Sequence, residues 1–166
     1  KLRRVGFLAD ATNFARVSLM ESARRSVAQR AIEARFEEAA KPEEIEPALS
    51  RLAKESVQGL VLMTSPLFLT ERRRIIKFAL EHRWPMIGAR REFTEDGALL
   101  SYGVDTVEHF RRTAYYVDKI LRGAKPGDLP IEQPTKLELV INGKTAKALG
   151  FNITNEMLLR ADKVIE

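Results

Sequence analysis

A chain of 166 residues, 45% hydrophobic and 31% charged, can bury a single core, which excludes wholesale disorder. It has no cysteine, which excludes disulfides, thiol nucleophiles and cysteine zinc sites, and no apolar run approaches the roughly 20 residues that a membrane-spanning helix needs. The formal net charge of +5 comes largely from Arg24-Arg25, Arg72-Arg73-Arg74, Arg90-Arg91 and Arg111-Arg112. These are scattered over predicted helices and read as solvated helix surface, so no nucleic-acid partner is expected.

The chain opens at Lys1 without a basic stretch followed by an apolar one, so no signal peptide is read within it, and it reads as a segment of something longer. Val5 to Ala9 is a short apolar run ending in the turn-prone Asp10-Ala11-Thr12-Asn13, which predicts a buried strand and its loop. From about Phe14 the spacing becomes helical, with Val17, Met20, Val27 and Ala31 on one face and Arg24, Arg25 and Gln29 on the wet side. Ile32 to Phe36 reads as a second strand. Pro42 then opens a helix with Glu43, Glu44 and Glu46 in its first turns. Proline is tolerated at that end, and carboxylates there complement the helix dipole. Ile45, Leu49 and Leu52 supply its buried stripe.

Gly59-Leu60-Val61-Leu62-Met63 is too short for a helix and has the unbroken apolarity of a parallel strand covered on both faces. Thr64-Ser65-Pro66 ends it, and Thr70 is expected to cap a helix running to about His82, which Trp84-Pro85 breaks. Met86-Ile87-Gly88 is the next strand, and Leu99-Leu100-Ser101-Tyr102 follows after Gly97. Val107, Phe110, Ala114, Val117 and Leu121 recur at intervals of 3, 4, 3 and 4, an amphipathic helix ending at Gly123. Lys125 to Pro134, with three prolines and a glycine, reads as a linker. Beyond it, Leu137 to Ile141 predicts a strand, Asn142 caps a helix through Leu149 that Gly150 stops, and Asn155 to Ala161 adds a last helical turn or two. Alternating strands and helices predict an α/β fold, a three-layer parallel sheet with helices on both faces.

Catalytic motifs fail at specific positions. Gly143-Lys144-Thr145 has the ending of a phosphate-binding loop, but the glycine required five residues earlier is Glu138. Ser101 and Gly103 match part of a nucleophile elbow whose first glycine is here Leu99. The two histidines, His82 and His109, lie on different predicted helices without partner motifs. Carboxylates gather at helix starts, where the dipole accounts for them. Nothing asks for an enzyme or a cofactor.

Three stretches carry a resemblance. They are Ser65-Pro66-Leu67-Phe68-Leu69-Thr70-Glu71-Arg72; Arg91-Glu92-Phe93 with Gly97, Ser101-Tyr102-Gly103 and Asp105; and a long run from Tyr116 through Gly123-Ala124-Lys125-Pro126, Asp128-Leu129-Pro130 and Glu132-Gln133-Pro134-Thr135-Lys136 to Leu149-Gly150. Together they resemble the solute-binding proteins of ABC transporters often labelled tryptophan/tyrosine-type, which have the type I periplasmic-binding-protein fold. The likeness covers essentially the whole chain. It implies the carboxy-terminal lobe of that fold: a ligand-binding lobe over 1–105, a crossover helix and linker toward a first lobe over 106–134, and a returning strand with terminal helices over 135–166.

The implied function is the extracytoplasmic solute-binding component of an ABC importer, periplasmic or lipid-anchored, with its export signal outside this segment. It would hold an amino acid or related organic acid between two hinged lobes and present it to permease subunits. An alternative on the same fold is a ligand-sensing domain of a bacterial signalling protein. Without its first lobe, the helix around Val107 to Leu121 would lose its apolar partner, so the isolated chain is expected to self-associate or to swap this helix between copies.

In an open parallel sheet, ligands bind outside the carboxyl ends of the strands. Four loops meet that condition: Asp10 to Asn13, Thr64 to Phe68 (with Ser65 and Pro66), Arg90 to Phe93, and Tyr102 to Asp105. Thr12, Asn13, Thr64 and Ser65 offer hydrogen bonds, and Arg91 a fork for a carboxylate. Asp105 or Glu92 offers a partner for an ammonium, and Tyr102 and Phe93 offer walls for an apolar moiety. Each also has a structural role open to it: Thr12 and Asn13 as turn residues, Asp105 as a helix cap, Phe93 as core and Arg91 as surface. The loop Asp10-Ala11-Thr12-Asn13-Phe14 and the residue Ser65 depart from the family's common Asn-Pro-Thr-Asn-Pro and Asp, so the ligand's identity does not carry over.

Overall fold

A computed structural model describes residues 2–133 and 136–166. Seven strands form one sheet in the order β2-β1-β3-β4-β5-β6-β7. The strands are β1 (Arg4–Asp10), β2 (Glu33–Ala39), β3 (Leu60–Leu62), β4 (Met86–Gly88), β5 (Leu100–Val104), β6 (Leu137–Asn142) and β7 (Lys163–Ile165). Between them lie α1 (Arg16–Ala28), α2 (Pro42–Lys54), α3 (Pro66–Thr70), α4 (Arg72–Glu81), α5 (Arg91–Glu95), α6 (Thr106–Leu121), α7 (Gly143–Leu149) and α8 (Asn155–Arg160). The α/β architecture expected from the alternation of apolar runs and helical stripes is the one found.

Register explains which side chains meet. Leu8, Leu60, Leu62 and Met86 share one face and pack against Ile45, Leu49 and Leu52 of α2, Phe68 of α3, Ile75 of α4 and Phe93 of α5. Phe7, Val61, Ile87, Leu100 and Ile141 form a row on the opposite face. There Phe7 stacks on Phe36 at 4.9 Å, and Arg24 of α1 lies 4.3 Å over the Phe36 ring. Farther along that row Ile87, Tyr102 and Val104 remain exposed.

The structure departs from expectation at five points. The sheet is parallel only from β2 to β5, because β6 runs antiparallel to β5 from Leu100↔Ile141 to Val104↔Leu137. The chain leaves at Asp105 and returns beside it, where Asp105 N–H donates to the Lys136 carbonyl at 3.2 Å, so β6 must enter the sheet from the same end that β5 left. A short seventh strand, too brief to show any periodicity, pairs parallel with β6. Thr70 caps nothing: its hydroxyl donates back to the Pro66 carbonyl at 3.1 Å, and Ser65 caps α3 by accepting from Phe68 N–H at 3.3 Å. Of the expected loop Arg90 to Phe93, all but Arg90 lies in the short helix α5, and α1 buries no residue fully because it sits over the sheet's edge strand.

The remaining boundaries follow local signals. Asn142 accepts from Thr145 N–H at 3.0 Å to start α7, and Gly150 ends it at φ 78°. Helix α6 is started by Asp105 and stops before Gly123, at φ 100°. Its stripe of Val107, Phe110, Val117 and Leu121 is exposed, with Leu121 at 81%. What holds α6 is the return segment: Arg112 pairs with Glu132, and Tyr116 Oη donates to the Pro130 carbonyl at 2.9 Å. The helix therefore projects from the sheet instead of covering it.

Candidate functional site

The carboxyl ends of β1, β3, β4 and β5 lie along one rim, and the exit and re-entry of α6 share it. Across four adjacent strands this rim extends roughly 14 Å, at about 4.8 Å per strand. Asp10 closes β1 with only 6% of its surface exposed. Its Oδ1 accepts from Thr12 N–H at 2.8 Å and from the Thr12 hydroxyl at 2.6 Å. Its Oδ2 accepts from the Ser65 hydroxyl at 2.5 Å. Burial pushes this carboxyl up, but hydrogen bonds from Ser65 and Thr12 outweigh it and hold Asp10 below the usual carboxylate range.

The next two residues are fixed by the backbone. Asn13 N–H donates to the Asp10 carbonyl at 3.1 Å, and the Asn13 Oδ1 accepts from Ala15 N–H at 2.9 Å. Arg16 N–H then donates to the Asn13 carbonyl at 3.0 Å, which leads into α1. Between these bonds stands Phe14, 97% exposed. In the sequence it stands where the loop gives way to helical spacing, and it is not among the expected site residues. The signal available was a large apolar residue inside a turn, where it has nothing to pack on. Thr64 and Pro66 are exposed on the adjoining loop, beside buried Ser65. Asp10, Thr12, Asn13, Thr64, Ser65 and Pro66 are thus brought together.

Chemistry on the β4 and β5 side is committed elsewhere. Arg91 binds Glu95 at 3.0 Å and Glu138 at 3.5 Å, and Lys163 adds a contact to Glu95 at 3.2 Å, which ties α5 to β6 and β7. The hydrogen bond with Glu95 and the charge of Glu138 raise the Arg91 pKa. Glu92 pairs with Arg90 at 2.6 Å, and that bond holds Glu92 below its usual range. Phe93 is 4% exposed and belongs to the core, so its ring offers no wall to a ligand.

Tyr102 lies mid-strand in β5, 55% exposed, on the open face of the sheet beside Leu139 instead of on the rim itself. Asp105 accepts from Glu108 N–H and Val107 N–H at 3.1 Å each and pairs with Lys136 at 3.0 Å. These bonds, the one from Glu108 N–H foremost, lower its pKa. Beside the rim, a cavity of about 430 Å³ lies between α6 and the return segment, lined in part by Asp105, His109, Arg112, Tyr116, Glu132 and Lys136. Its charges are already paired as Asp105–Lys136 and Arg112–Glu132. Among the described residues no group of three or more His, Asp or Glu side chains is arranged to hold a metal ion, and no helix is long and apolar enough to cross a membrane.

Comparison with known proteins places this geometry. The sequence model of the family described as ABC transporter substrate binding protein matches residues 1–165. A tyrosine-binding protein from Clostridioides difficile (strain R20291) is 27% identical over 106 residues, 64% of this chain and 30% of that protein. A conserved domain protein from Vibrio cholerae O1 biovar eltor superposes with a TM-score of 0.89 at 28% identity, over 99% of this chain and 55% of that one. An ABC domain from Streptococcus pneumoniae in complex with L-Trp gives the same TM-score at 20% identity, again over 99% and 55%. The chain therefore spans about half the length of these solved structures. With a family match over residues 1–165 and a fold shared with these neighbours, the chain belongs to the ABC transporter substrate-binding protein family.

Proposed function

We propose that this chain is one jaw of a two-lobed extracytoplasmic solute-binding component of an ABC importer. In this reading 1–105 and 135–166 form the jaw, and 106–134 reach toward the other lobe. A small solute, an amino acid or related organic acid, is held between the lobes without covalent chemistry and released to permease subunits. The observation that carries the reading is a coincidence of place. The polar loops Asp10–Asn13 and Thr64–Pro66 sit on the same rim through which the chain leaves at Asp105 and returns at Lys136. A cleft facing a second lobe would open at that rim, and hinge closure of the two lobes would bury what lies in it. The exposed apolar stripe of α6 is the complementary sign, a helix whose partner lies beyond this sheet.

Names of relatives point to aromatic amino acids as the first ligands to try. Thr12, Asn13, Thr64 and Pro66 are the groups on this jaw nearest to the cleft, with Asp10 and Ser65 supporting them from below. Tyr102 flanks them from the open sheet face. The test is a thermal-shift screen of the full-length protein against amino acids and organic acids. A melting increase with one chemical class is expected, and a flat response across the panel overturns the reading. The isolated jaw should bind the same ligand at least about a hundredfold more weakly, since roughly half the contacts are gone.

A further inference from the structure

The charged side chains of the rim are engaged within the lobe. Asp10 is satisfied by Thr12 and Ser65, Arg90 and Glu92 hold each other, Arg91 is bound by Glu95 and Glu138, and Asp105 by Lys136. A ligand that used any of them would compete with a charge-assisted bond already made inside the lobe. What the loops leave unengaged is neutral. Among the described residues the Asn13 Nδ2 and the Thr64 hydroxyl carry no intramolecular hydrogen bond, and the Phe14 ring touches almost nothing. The backbone that carries the ring is held, since it is bonded immediately before Phe14 at Asn13 and immediately after it at Ala15 and Arg16. An aromatic group standing in water on a bonded loop at the end of β1 contributes nothing to the core, yet it lies where an apolar surface brought to the rim would meet it.

We infer that Phe14 is the apolar wall of the ligand site on this jaw and that the adjacent Asn13 amide is its hydrogen-bond donor. This jaw therefore reads a neutral face of the solute, an apolar or aromatic group beside an acceptor oxygen. The inference rests on the reading of the chain as a ligand-holding jaw and adds to it the residue that sets size and polarity preference.

The test is titration calorimetry of L-tyrosine, L-tryptophan, L-leucine and L-serine into the full-length protein and its Phe14→Ala, Phe14→Leu and Asn13→Ala variants. Expected are a preference for the larger apolar ligands over L-serine and a loss of roughly tenfold or more for those ligands in Phe14→Ala. Phe14→Leu should recover part of that loss, and Asn13→Ala should weaken every ligand that binds. The melting temperature of Phe14→Ala should match that of the parent, since a ring 97% exposed has no core contacts to lose. Unchanged affinities in Phe14→Ala, or equal losses for L-serine and L-tyrosine, overturn the assignment while leaving the solute-binding reading intact. Binding of none of the four by the unmodified protein, together with a flat thermal-shift screen, overturns both.

Discussion

The Ser65 hydroxyl donates to the Asp10 carboxylate at 2.5 Å while accepting from Phe68 N–H at 3.3 Å, so one side chain joins the end of β1 to the start of α3. Two loops that lie 55 residues apart in sequence become a single unit. The groups they present at the rim, Thr12, Asn13, Phe14 and Thr64, inherit their positions from that link.

Removing the carboxylate should loosen this unit. Asp10→Ala leaves the Ser65 hydroxyl and Thr12 N–H without their acceptor and is expected to cost about 1–3 kcal/mol, the range for stranding buried polar groups. Chemical denaturation followed by circular dichroism measures it. A variant as stable as the parent would show that the link is dispensable.

The same carboxylate sets a pH dependence. Asp10 is held below its ordinary value in the folded state, so its contribution is fully present above about pH 4 and is lost as pH falls through the folded value. The stability difference between the parent and Asp10→Asn should therefore shrink as pH is lowered from 5 toward 2. A difference that is constant or grows over that range contradicts the assigned direction.

Gly103 makes room for a neighbouring backbone. A Cβ there would collide with the Ala89 carbonyl, and neither β5 nor the loop after β4 can yield as a flexible side chain would. Gly103→Ala is expected to destabilise the fold by about 1–3 kcal/mol and to lower solubility. A fully stable Gly103→Ala protein would require the two segments to be farther apart than they are here.

Arg91 is expected to act on stability, modestly. Its partners Glu95 and Glu138 are partly solvated, so Arg91→Gln should cost no more than about 1 kcal/mol, less in high salt. Melting curves at low and high salt test this. A loss that is larger and indifferent to salt would point to packing as the cause.

Separated from any other lobe, the 166-residue jaw is expected to self-associate through α6, whose Val107, Phe110, Val117 and Leu121 are exposed. Light scattering at rising concentration should show dimers or larger species, and Phe110→Glu with Leu121→Glu should return the chain to monomers. A monomeric parent at high concentration would rule this out.

How far the sequence alone reached depends on the range of each signal. Pro42 at a helix start, Asn142 and Gly150 around α7, Gly123 after α6, and the apolar runs at β1 and β3 act within a few residues, and each was legible. The α/β class and the rim of loops followed from them. Partner choice did not. Whether Arg91 meets a ligand or Glu138 depends on two residues 47 positions apart, and Lys163 reaches Glu95 across 68. Phe93 could be wall or core until α5 folded it inward, and Asp105 could meet an ammonium until Lys136 returned beside it. Local backbone preferences are written in neighbouring residues, so the sequence determined the elements and the rim of loops at the carboxyl ends of the strands. Only the tertiary structure decided which polar and aromatic groups on that edge were already engaged, because satisfying a charge or burying a ring depends on chain segments far apart in sequence.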